Sequence, residues 1–175
     1  SNPTADPCEY QTLLTLQLAS EHYGRKVLHE KWTQRDQAFI RPKEIDLLAL
    51  LESGNIDYIF IYRSVAQQHN LRIHQLPAYV NLSNPDMEDV YAGVSVELTG
   101  RKPGEKIRQK GSAMVYGITI PDNPPNFQAA RAYLSYFLEK GGGLKVFENM
   151  GQPSLHPVLC VSPGGNELWI PCLQD

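Results

Sequence analysis

No apolar run in this 175-residue chain approaches the roughly twenty residues that a membrane-spanning helix needs. No charged-then-apolar leader opens it. It starts at Ser1-Asn2-Pro3, a turn-like beginning that reads as a cut end. A basic excess is missing too: the net charge is -3 and the pI about 5.9, which argues against a nucleic-acid partner. It does not argue against a small anion, because backbone N–H groups set the field at such a site. Glycine-rich phosphate loops of the Walker or dinucleotide type are absent; Gly141-Gly142-Gly143 follows a helical stretch and reads as a breaker. The histidines, His22, His29, His69, His74 and His156, show no metal-ligand spacing. Ser112, Ser162 and Cys8 stand in no recognisable nucleophile context. These absences together point away from an enzyme.

Cysteine is scarce, with Cys8, Cys160 and Cys172. The last two flank Pro163-Gly164-Gly165, a strong turn signal. Strands folded back there would bring the thiols near each other. Two readings stand: a disulfide, which fits an oxidising compartment, or two small buried hydrophobes.

What is present is an ordinary globular composition. At 42% hydrophobic and 20% charged residues the chain can bury a core. A first helix is expected over 7–23, with Asp6 as N-cap, Pro7 in the first turn and Gly24 as the stop. Its leucines spread widely, so more than one face should be buried. Residues 26–37 read as a polar helix and 38–40 as a short strand. A helix follows to about Ser53, ended by Gly54. The run Tyr58-Ile59-Phe60-Ile61-Tyr62 lacks alternation, as expected of a strand buried on both faces of a parallel sheet. A short helix over 64–69 completes an α/β unit. Further strands are expected over 71–76, 91–98 and 113–120, with a solvated basic hairpin tip over 99–111. An amphipathic helix over 126–140 carries Phe127, Ala130, Tyr133, Leu134 and Phe137 on one stripe. A last short helix covers 144–150.

Four residues could carry ligand chemistry. Asp6-Pro7-Cys8 opens a helix whose unpaired N–H groups suit an anion; equally, Asp-Pro is a good way to begin any helix. Glu44 falls on the side of Leu47, Leu48 and Leu51, so its carboxylate is either aimed inward or bent outward to water from a first turn. An inward carboxylate needs a partner, a proton or a metal. Tyr62 ends the apolar run, where open α/β sheets bind ligands; its hydroxyl is an anion donor or a structural tip reaching water. Ser64-Val65-Ala66 then starts another helix with more N–H groups.

Several stretches, in order, resemble the tungstate/molybdate-binding proteins of ABC importers, in their archaeal-type branch. They are Ser1-Asn2-Pro3 with Asp6-Pro7-Cys8 and Tyr10; Arg41-Pro42-Lys43-Glu44 leading into Leu47-Leu48-Ala49-Leu50-Leu51-Glu52-Ser53-Gly54; and Ile56-Asp57-Tyr58 through Tyr62-Arg63-Ser64-Val65-Ala66 and Gln68-His69. Val115-Tyr116-Gly117-Ile118-Thr119-Ile120-Pro121 and Asn149-Met150-Gly151-Gln152-Pro153 fit as well. The resemblance implies an α/β, periplasmic-binding-protein-like fold of type II, with one lobe largely present and the other partial. On that basis residues 1–111 form the oxyanion-binding lobe, 112–123 a hinge strand and turn, and 124–175 helices and a hairpin of the other lobe. It implies a non-enzymatic extracytoplasmic solute-binding protein for tungstate or molybdate, with no cofactor. Asp6 and Glu44 would reach the tungsten or molybdenum as extra ligands, and Cys8 and Tyr62 would contact the oxyanion, Cys8 by its backbone.

Such carboxylates would repel a dianion unless they bond the metal or one is protonated. Hexavalent tungsten and molybdenum accept extra oxygens; sulfur in sulfate does not comparably, so the pair would reject the abundant anion. The implied partners are the oxyanion and an ABC permease, without nucleic acid, and with self-association through the incomplete lobe. The implied location is periplasmic or extracytoplasmic, with lipid anchoring through residues ahead of Ser1. The resemblance expects roughly another hundred residues there, needed for the first lobe, so the chain reads as a truncated or degraded form. Departures are Glu9 and Gln11, where the family more often has Gly and Arg, and an unmatched tail after Pro153. The alternatives are an effector-sensing domain of the same fold, a cation site using Asp6, Glu44 and Cys8, and a remnant without a complete site.

Overall fold

Pro7, with its fixed φ and no N–H to satisfy, begins helix α1 (Pro7–His22). The helix stops where Gly24 turns left-handed at φ 62°, and Arg25 N–H closes back on the Ser20 carbonyl at 2.9 Å. A computed structural model of the chain describes residues 7–25, 44–100, 102, 104–155, 158, 160, 161, 167 and 168, the backbone alone for 44, 45, 160, 161, 167 and 168. The expectations for Asp6, the helix over 26–37, the strand over 38–40 and Cys172 lie outside the described residues.

The chain divides into two units, one of Ser1–Tyr62 with His74–Tyr116, the other of Arg63–Ile73 with Gly117–Asp175. In the first, α1 buries Leu14, Thr15, Leu18 and Ser20. Leu14 and Leu18 join Val80, Leu82, Tyr91, Val94 and Val96 in one apolar cluster. Tyr10, Leu13, Ala19, Met87, Leu98 and Ala113 pack around it. Fully burying each large aliphatic side chain is worth about 1.5–3 kcal/mol. Helix α2 (Glu44–Glu52) ends like α1, at Gly54 with φ 71° and Asn55 N–H on the Leu50 carbonyl at 3.0 Å. A 3-10 turn (Pro85–Met87), capped by the Asn84 side chain, leads into the short α4 (Glu88–Tyr91).

Strands β1 (Ser95–Thr99) and β2 (Lys106–Lys110) form an antiparallel hairpin with Ser95 opposite Lys110 and Thr99 opposite Lys106. Gln17 of α1 accepts the Ser95 N–H at 3.2 Å, tying helix to hairpin. The expected basic tip thus contains the second strand itself. Its charged side chains stay in water while its backbone pairs, since a sheet with one solvated face tolerates polar residues there. At the tip, Lys106 donates to Glu97 at 2.8 Å. That hydrogen bond, and then the opposite charge of its partner, hold the Glu97 carboxyl below the usual carboxylate range and Lys106 above its own.

The second unit holds α3 (Arg63–Gln68), α5 (Phe127–Leu138) and α6 (Gly143–Asn149). Asn126 caps α5 by accepting the Ala129 N–H at 2.9 Å. The glycines after α5 act as a breaker: Gly141 has φ 89°, and α6 starts at Gly143 beneath the Phe137 ring. Phe137 and Phe147 meet edge to face at 5.3 Å. Gln67 of α3 donates to the Asn149 carbonyl at 3.3 Å. Strands β3 (Cys160–Val161) and β4 (Glu167–Leu168) pair antiparallel, Cys160 opposite Leu168.

The described residues are therefore mixed helix and strand, compatible with an α/β class, and their two sheets are both antiparallel pairs. Three expected strands are corrected. Residues 58–62, 71–76 and 113–120 belong to no ladder. The 58–62 run is not buried on both faces: residues 59–62 are half-buried and Tyr58 is 80% exposed. A strand exists only where a neighbouring strand takes its N–H and C=O groups in succession, and among the described residues these runs make single contacts, such as Met114 N–H to the Leu82 carbonyl, and no ladder. The strand expected over 91–98 begins later, at Ser95, because Tyr91 closes α4.

Candidate functional site at the start of the first helix

α1 presents its first turns to the run that ends at Tyr62. Cys8, its second residue, is half-buried, and its thiol lies 3.7 Å from the Phe60 carbonyl. The Cys8 carbonyl accepts the Thr12 hydroxyl at 2.8 Å, a local tie one turn along. Tyr62, also half-buried, donates its hydroxyl to Gln11 Oε1 at 2.5 Å. Cys8 and Gln11 are three apart and so share a face of the helix. Residues far apart in sequence are thereby clamped together at a helix N-terminus, whose unpaired N–H groups carry partial positive charge.

Of the four expected site residues, the structure brings Cys8 and Tyr62 to this one place. Glu44 is the first residue of α2; its side chain and all of Asp6 lie outside the described residues. Among the described residues no group of three or more His, Cys, Asp or Glu side chains converges. The participant that the sequence reading did not assign to the site is Gln11. The sequence places it on the Cys8 face of the helix, but not its contact with Tyr62, 51 residues away.

No protein-family model matches the chain. Among known proteins it is 44% identical over 158 residues to an uncharacterized solute-binding protein of Petrotoga mobilis, covering 90% of this chain and 49% of that protein. It is 37% identical over 177 residues to the molybdate/tungstate-binding protein WtpA of Thermococcus kodakarensis, covering 90% of this chain and 49% of the relative. Its relatives are solute-binding proteins. The WtpA of Pyrococcus abyssi aligns similarly, at 36% identity over 177 residues, covering 90% and 50%. The chain spans about half the length of the relatives it matches.

Proposed function

We propose that this protein captures tungstate or molybdate outside the cytoplasm and delivers it to an ABC permease, without catalysing a reaction. The observation that carries the reading is the clamp between α1 and the run ending at Tyr62, in a chain whose relatives include two molybdate/tungstate-binding proteins. A helix N-terminus and neighbouring polar side chains are what an oxyanion requires. The Asp6 and Glu44 carboxylates would each give an oxygen to the hexavalent metal, raising its coordination beyond the oxo groups. Backbone N–H groups near Cys8 and polar side chains near Tyr62 would take the oxo charge. The fold would be two-lobed, of the periplasmic-binding type, closing on the anion, and the location periplasmic or extracytoplasmic. Phe127 and Tyr133, 58% and 61% exposed on α5, support self-association as well.

Calorimetric titration of the full-length protein with sodium tungstate, molybdate and sulfate tests the reading. Binding heat with the first two and none with sulfate is expected. Glu44→Gln should lower tungstate affinity at least about tenfold, by loss of a charged ligand oxygen. Equal binding of sulfate, or none of the three, overturns the reading; an unchanged Glu44→Gln affinity removes Glu44 from the site.

A further inference from the structure

We infer that Gln11, held in place by Tyr62, is the side chain that donates a hydrogen bond to the bound oxyanion, and that Tyr62 is a positioning residue; this rests on the function proposed above. A phenol carries one hydrogen. The Tyr62 hydroxyl donates it to Gln11 Oε1 at 2.5 Å. In that arrangement the hydroxyl offers an anion only lone pairs. The amide is in the opposite position. Its oxygen is engaged, and covalent geometry puts Nε2, with two hydrogens, on the other branch of the same plane. Gln11 is half-buried, yet among the described residues no hydrogen bond leaves its Nε2. A half-buried amide with both donors unspent, on the first turns of a helix, is poised for an acceptor.

The choice of an amide bears on specificity. A cationic donor attracts every dianion, sulfate included. A neutral donor adds a directed hydrogen bond without adding charge. Discrimination between anions is then left to whatever binds the central atom.

Gln11→Glu separates donation from scaffolding, because the new carboxylate still accepts the Tyr62 hydrogen while losing both amide hydrogens. The full-length wild type, Gln11→Glu, Gln11→Met and Tyr62→Phe are titrated with sodium tungstate and with sodium sulfate, after their unliganded thermal midpoints are compared. Gln11→Glu and Gln11→Met should each weaken tungstate about 10- to 100-fold. Tyr62→Phe should weaken it less, since the donor survives unpinned. Wild-type tungstate affinity in both Gln11→Glu and Gln11→Met overturns the inference, as does a Tyr62→Phe loss exceeding theirs. A wild type that binds no tungstate overturns the proposed function itself. If Gln11→Glu folds poorly, Gln11→Met, of similar length and uncharged, decides alone.

Discussion

Tyr91 is fully buried, and its hydroxyl still has partners. It donates to the Ala78 carbonyl at 2.5 Å and accepts the Asn84 N–H at 3.3 Å. Its ring meanwhile fills the apolar cluster with Leu14 and Leu82. Leu82 takes a left-handed backbone, φ 57°, which costs a branched residue about 1–3 kcal/mol. Burial of its side chain offsets that, and its carbonyl accepts the Met114 N–H at 2.8 Å. Tyr91→Phe should keep the packing and strand the Ala78 carbonyl and Asn84 N–H. The expected loss is about 1–3 kcal/mol, read as a lower midpoint in urea unfolding with an unchanged slope. No change would mean that water replaces the phenol. By contrast, the exposed Lys106–Glu97 pair should matter little. Its contribution is present at neutral pH. It fades as pH falls through the lowered Glu97 pKa, or rises through the raised Lys106 pKa.

At the scale of elements, the join between hairpin and α4 leaves no room for a side chain. Gly111 donates to the Val94 carbonyl at 2.9 Å, and a Cβ there would overlap the Tyr91 carbonyl oxygen. Gly111→Ala should destabilise the first unit by about 1–3 kcal/mol. Gly117→Ala, where a Cβ meets nothing within 4 Å, should be near neutral. Paired thermal melts check both, and equal midpoints would sink the steric argument. Helices were legible from the sequence because their signals are local: Pro7 at a start, Gly24 and Gly54 in left-handed stops, Asn126 as a cap. Strands were legible at Ser95–Thr99 and on the two sides of Pro163-Gly164-Gly165, and not elsewhere, because a ladder depends on a neighbour. The apolar 58–62 looked most strand-like and has none, while charged Lys106–Lys110 pairs fully. Cys8 and Tyr62 stood out in the sequence as the start of a helix and the end of an apolar run, and the structure brings those two segments together. The Gln11 contact depends on how two distant segments meet, which periodicity does not encode.

For the whole molecule, apolar burial is uneven. Among the described residues, the buried hydrophobics are Leu14, Leu18, Leu48, Ala66, Val80, Leu82, Tyr91, Val94 and Val96, and of these Ala66 alone belongs to the second unit. That unit instead shows water Phe127, Tyr133, Tyr136, Val146 and Met150. Surfaces of this kind favour association. Sedimentation velocity across a concentration series should show a faster species growing with concentration. The double change Phe127→Lys with Tyr133→Lys should suppress it. A monomer at every concentration would rule association out.

The Tyr91 tie to Ala78 and Asn84 has a practical corollary. Both of its ends are main-chain atoms, so the hydroxyl reads the path of the intervening loop, whose buried side chains Val80 and Leu82 pack with the ring. Positions such as Tyr79 and Ser83, both exposed, can therefore carry a spectroscopic label or a grafted epitope while the loop keeps its course.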